Sequence, residues 1–363
     1  MNKIINIHQN NNMKKNFLKY FIPIILLSFI GLFSIYYSQS SVPNYYNFLK
    51  RQIIFIIIGV LLLFVFMKIN FRYIKKYCFL FYIFTILLLI YVLLFGNVIN
   101  GSKSWINIFG ITIQPSEFAK IALLLCLDKY IHTKYGFIKS LFLVLVPSIL
   151  TFLQPDTGTV LFYLMIYASI FISMGLNKKY YIGLFSLIGV VIISYFYLYY
   201  FQSDLFINIF GTNFFYRTDR IINFMNSEGY QINNALIGIG NGGMIGNGLK
   251  YVIYIPEAIT DFMFANILTI FGFIGGISVL LIFIYIDKML IEDIFSFKKH
   301  KYFVIGLFGL FIYQQLQHIL MDIGLLPITG ITLPFVSYGG SSLISYFILF
   351  GILLNLKKCQ LEL

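Results

Sequence analysis

The chain is 363 residues long, 60% hydrophobic and only 11% charged, with a formal net charge of +13. A mean hydropathy of +0.87 exceeds what a soluble globular protein of this length carries, which excludes the soluble classes. The basic residues do not cluster on a soluble face, so nucleic acid is not an expected partner.

Three cysteines give no disulfide framework, since Cys78 and Cys126 lie in apolar runs and Cys359 in the tail. The four histidines lack metal-ligand spacing, so no structural zinc site is expected. Residues 1–16 form a polar, Asn-rich tail, too polar for a secretory signal, in which Met13 offers an alternative start. Apolar runs of about 20 residues, enough to span a bilayer, then recur near 17–37, 52–69, 74–95, 115–131, 139–155, 157–175, 180–200, 260–286, 302–326 and 331–355. Only Pro155 and Gly158 divide the fifth from the sixth. The pattern predicts an all-α polytopic membrane protein of about ten helices. One domain covers 17–356, with a large loop near 201–259 and a short tail at 357–363.

Lys and Arg set the orientation. Lys3/Lys14/Lys15/Lys19, Lys68/Arg72/Lys75/Lys76, Lys129/Lys134/Lys139, Lys178/Lys179, Lys288/Lys298/Lys299/Lys301 and Lys357/Lys358 all fall on one side of an even-numbered bundle. That side is read as cytoplasmic, with both termini on it. Every motif below then falls on the extracytoplasmic side.

The first motif is Asn100 to Gly110 with Ile113-Gln-Pro-Ser-Glu-Phe-Ala-Lys120. Trp105, the only tryptophan, suits an interfacial anchor as well as a substrate platform. Pro115 and Glu117 mark a helix start. Glu117 and Lys120, spaced i,i+3, share a helix face and read as an internal ion pair, which either braces the bundle or lines a cavity. Gln154, Asp156, Thr157 and Thr159 put polar groups where two apolar runs meet, and Asp156 is equally a helix cap. Arg217 and Arg220 share a helical face and suit a phosphate or carboxylate, or pair with Asp219 or Glu228. The glycine-rich run 229–248 matches no nucleotide fingerprint and suits close backbone approach.

Asp261, after Pro256-Glu257 and Thr260, stands at the mouth of an apolar run, where a carboxylate is costly unless something holds it. As a cap it would be ordinary. Pro327, Gly330 and Pro334 break the backbone near a polar helix start holding Ser337, Gly339, Gly340, Ser341 and Ser342. Irregular backbone at membrane depth is tolerated where protein buries it or it lines a wet cavity. Tight small-residue packing is the plainer reading. Asp322 is a further buried-acid candidate.

Taken in order, Gly101-Ser-Lys-Ser-Trp105, Gln114 to Lys120, Gln154-Pro-Asp-Thr-Gly158, Arg217/Arg220, Pro256 to Ala265 and Gly324 to Ser342 resemble the RodA/FtsW/SpoVE (SEDS) family from about residue 17 to 356. The resemblance implies a ten-helix peptidoglycan glycosyltransferase polymerising lipid II on the outer face of the bacterial cytoplasmic membrane. It implies a class B penicillin-binding protein as partner and Asp261 as the essential acid, taking a proton from the acceptor hydroxyl. The other expected site residues are Trp105, Glu117, Lys120, Gln154, Asp156, Arg217, Arg220, Ser337, Gly339, Gly340 and Ser341. Arg217, Arg220 and Lys120 are the candidates to face the pyrophosphate. A divalent cation, Mg2+ or Mn2+, would share that work, although no ligand cluster in the sequence specifies one. The chain departs from the family at Thr269 and Ile270, where an acidic pair is usual, and at Ile259, His318 and Leu320. A flippase for the lipid-linked precursor and an inactive scaffold are the alternative readings.

Overall fold

The computed structural model describes residues 2–38, 45–99, 101–108, 111–175, 177–212, 214–216, 218, 229–248 and 254–361. Twelve helices emerge among them: α1 (Asn2–Tyr37), α2 (Tyr45–Lys68), α3 (Phe71–Phe95), α4 (Pro115–Tyr130), α5 (Gly136–Leu153), α6 (Thr157–Ser173), α7 (Lys178–Phe201), α8 (Ser203–Phe210), α9 (Tyr230–Gly242), α10 (Met263–Ser296), α11 (Lys301–Asp322) and α12 (Gly340–Leu361). Each of the ten apolar runs becomes a helix. Among the described residues, seven helices are long and apolar enough to cross a membrane, or eight if the bent pair formed by α7 and α8 is one span. The sequence reading is all-α, and the structure adds a small sheet to it. β1 (Asn97–Ile99), β2 (Ser102–Ile108) and β3 (Ile111–Ile113) pair antiparallel in the order β1-β2-β3. The large loop is not irregular throughout, because it contains α8 and α9.

The centre of the bundle is set by burial. The most apolar stretches of α11 and α12 are 72% and 78% buried, against 22% and 28% for those of α2 and α3, which face outward. Local signals fix the helix ends. Asn70 accepts from Arg72 N and caps α3, while Pro115 opens α4 with Glu117 in its first turn. The last apolar run is predicted to become helical from residue 331, but α12 begins only at Gly340. Pro334 and the left-handed Phe335 (φ 63°) hold the intervening segment out of the helix.

α10 is broken at Gly272, where φ is +65°. A break strands helix-end groups, and the glycine-rich run takes them up. Phe273 N and Ile274 N donate to the carbonyls of Gly243 and Met244, at 2.9 and 3.2 Å. In return Asn247 N and Gly248 N donate to the carbonyls of Thr269 and Ile270, at 3.1 and 3.0 Å. A Cβ at Gly272 would collide with the backbone of Ile245 and Gly246. Gly272→Ala is therefore expected to cost at least the roughly 1–3 kcal/mol of a side chain held at a backbone conformation that only glycine adopts readily. The check is the thermal unfolding midpoint in detergent, which should fall.

At the other end of the bundle, Asp293 on α10 accepts from Tyr20 Oη at 2.8 Å and from Lys357 Nζ at 2.6 Å. This ties α1 and α12 to the end of α10 remote from Asp261.

Candidate active site

Asp261 occupies a tight turn rather than a helix. Glu257, at φ +52°, lets its carbonyl accept three N–H groups, from Thr260, Asp261 and Phe262, each at 3.1 Å. The turn is pinned from outside by the segment before α12. Ser337 Oγ donates to the Thr260 carbonyl at 2.8 Å and accepts from Leu333 N at 2.9 Å, while Tyr338 N donates to the Ile259 carbonyl at 2.7 Å. Gln52 of α2 donates to the Ser337 carbonyl at 3.1 Å.

The Asp261 carboxylate is half-buried beside the exposed Glu257. Burial and then the Glu257 charge push it up from the ordinary aspartate value to about 7, against a hydrogen bond from Thr260 that favours the charged form. A carboxyl that titrates near neutrality suits a general base.

The other motifs meet this segment at the same end of the bundle. Ser341 Oγ, in the first turn of α12, accepts from Gln114 N at 3.0 Å. Gln114 Nε2 donates to Asp156 at 2.8 Å. Asp156 also accepts from Thr159 N and Thr159 Oγ, so it caps α6, and burial raises its carboxyl against these bonds. Gln154 is buried, donating from Nε2 to the Leu89 carbonyl at 2.8 Å. Ser102 of β2 donates to the carbonyls of Gln154 and Pro155, which docks the sheet on this corner. Trp105 sits half-buried on β2, opposite Asn97 of β1. Gly340 lies so close to the Phe55 ring that a Cβ would come within 2.7 Å, and a Cβ at Gly339 would meet Thr332 at 3.5 Å.

Glu117 and Lys120 form the ion pair that their spacing predicts, at 2.7 Å. Lys120 is fully enclosed, its ammonium 4.2 Å from the Phe162 ring centre and 5.7 Å from that of Tyr346. Ser345 Oγ donates to Glu117 at 2.9 Å. The pair thus braces α4 against α6 and α12, and in this conformation it presents no free cation to a substrate. Arg217 and Arg220 lie outside the described residues. No group of three His, Cys, Asp or Glu side chains gathers as a metal-ligand set among the described residues.

Two residues outside the expected site set contact the helix that Asp261 leads. His318 and Asp322 of α11 reach the backbone of Phe264 and Ala265. Asp322 was legible only as an acid in an apolar run. Thr269 instead points at α9, where a Cβ on Gly238 would come within 2.8 Å of its hydroxyl.

Comparison with known proteins matches residues 15–361 to the FtsW/RodA/SpoVE family, described as cell cycle protein. A probable peptidoglycan glycosyltransferase FtsW of Wigglesworthia glossinidia brevipalpis is 33% identical over 90% of this chain and 89% of its own. The stage V sporulation protein E of Bacillus subtilis is 32% identical over 92% of this chain and 94% of its own. Among solved structures, a chain of a peptidoglycan synthase complex that coordinates polymerization and crosslinking aligns with a TM-score of 0.78. It is 24% identical, covering 94% of this chain and 98% of that one. With the match running through every motif and the fold shared from end to end, the chain belongs to the FtsW/RodA/SpoVE family.

Proposed function

We propose that this chain is a peptidoglycan glycosyltransferase that joins lipid II units into glycan strands, with Asp261 as the general base. The observation that carries the proposal is the convergence of five separate sequence motifs on one end of the bundle, around a half-buried carboxyl titrating near neutrality. Asp261 takes the proton of the acceptor's sugar hydroxyl as that oxygen attacks the anomeric carbon of the donor. The bond from that carbon to the polyprenyl pyrophosphate breaks, and its electron pair leaves with the pyrophosphate. The leaving group is already activated, so a second carboxylic acid of the glycosidase kind is not required. Arg217 and Arg220 are the cations of this chain proposed to face the developing charge.

In this reading the chain crosses the membrane ten times, α4 and α6 serving as short inner spans. Both termini are cytoplasmic and the Asp261 end is extracytoplasmic, which follows from the Lys and Arg distribution. The substrate's lipid tail stays in the bilayer, which suits a site built at the end of a helix bundle. A class B penicillin-binding protein is the proposed partner, crosslinking the strands made. The solved complex with the same fold supports this pairing of activities.

The test is purified protein with lipid II, with and without the partner, assayed both for glycan strands and for lipid II flux across vesicles. Strands without flux support the polymerase. Flux without strands, by contrast, would replace it with a transporter.

A further inference from the structure

Asp261 is fixed partly from across the bundle. The first N–H groups of a helix have no intrahelical acceptor. In α10 two of these are taken by side chains of α11. Asp322 Oδ2 accepts from Ala265 N at 2.8 Å, and His318 Nε2 lies 3.4 Å from Phe264 N. The other ring nitrogen of His318 meets the Ile331 carbonyl at 2.6 Å, which assigns the ring proton to Nδ1 and leaves Nε2 as the acceptor. The residue before Ile331 is Gly330, in the left-handed region, and a Cβ there would stand 3.7 Å from Asp261 Oδ2. One pair of side chains thus holds both the helix start that follows Asp261 and the segment against which its carboxylate packs.

Neither side chain is explained by packing. Both are fully buried, spaced i,i+4 on α11 and 3.5 Å apart. Asp322 Oδ1 has no hydrogen-bond partner among the described residues. A buried carboxylate with one oxygen unsatisfied is costly, and an apolar side chain of similar volume would fill the place at less cost.

We propose that His318 and Asp322 act as one positioning dyad for Asp261, holding the start of α10 and the Gly330–Ile331 segment where Asp261 reaches the substrate hydroxyl. The dyad rests on the reading of Asp261 as the base. It touches no substrate, so its loss is read in kcat rather than in KM.

The experiment measures lipid II polymerisation by Asp322→Ala, Asp322→Asn, His318→Ala and the double alanine variant. Misplacement of the base predicts a kcat roughly 10- to 100-fold lower in Asp322→Ala, with KM changed less than about twofold. Asp322→Asn keeps an oxygen for Ala265 N and recovers kcat to within about fivefold of wild type. His318→Ala resembles Asp322→Ala, and the double variant is no worse than the weaker single one. Should Asp322→Ala not fold, Asp322→Leu fills the volume without the acceptor and carries the same expectation.

Wild-type kcat in a folded variant lacking the acceptor overturns the dyad. So does an equal loss in Asp322→Ala and Asp322→Asn, or a rise in KM at unchanged kcat. Asp261→Asn runs beside them as a control. If it polymerises normally, the base reading fails, whatever the dyad variants do.

Discussion

Replacing Asp261 by Asn is expected to lower lipid II polymerisation by at least about 100-fold while leaving the protein folded, since a positioned general base contributes 10²–10⁴-fold. The turn itself survives the change, because its bonds run through backbone. The Glu257 carbonyl takes the N–H groups of Thr260, Asp261 and Phe262, and Ser337 and Tyr338 hold the carbonyls of Thr260 and Ile259. An amide of the same shape also relieves the half-buried carboxyl of its ionisation cost, so thermal stability should hold or rise slightly. The two readouts must separate: activity lost, unfolding midpoint kept. Loss of both together would make Asp261 a structural residue.

The second large effect is expected at Lys120. Lys120→Ala leaves Glu117 buried at 4% exposure without its cation. Removing one partner of a buried ion pair costs about 3–5 kcal/mol, because the remaining charge is stranded. The hydrogen bond from Ser345 does not compensate, and the space between the Phe162 and Tyr346 rings is left empty. Exchanging both partners, Glu117→Gln with Lys120→Met, keeps the volume and removes both charges, so most of the unfolding midpoint should return. If stability returns and polymerisation returns with it, the pair is a brace. Restored folding without activity would give Lys120 a contact with substrate after rearrangement.

How much of this was legible in the sequence depended on what each residue touches. The membrane class, the ten helical runs and the Glu117–Lys120 spacing were readable, because apolar runs and i,i+3 pairs are local patterns. The small sheet was not, since strands of three residues such as Asn97–Ile99 and Ile111–Ile113 carry no alternation to read. The break in α10 was also hidden. Gly272, Gly275 and Gly276 look alike in sequence, and only the approach of the 243–248 backbone singles out the first. The sequence leaves substrate and cap roles both open for Asp156 and marks Gln154 only as a polar group between two apolar runs, and the partners observed for both are protein groups. That Ser341, Gln114 and Asp156 form one chain of hydrogen bonds depends on contacts between distant helices, which spacing does not encode. Asp322 was visible as an acid in an apolar run, but the N–H groups it serves were not.

The measurement that bears most directly on Asp261 as a neutral-range base is the pH dependence of the wild-type polymerisation rate. The base must be ionised to take a proton, so the rate should fall as pH drops through about 7, the value to which burial and Glu257 raise the carboxyl. Removing the neighbouring charge in Glu257→Gln favours the ionised form, and the midpoint should move to lower pH with the plateau rate kept. A rate flat through neutrality, or a midpoint unmoved in Glu257→Gln, would contradict the account.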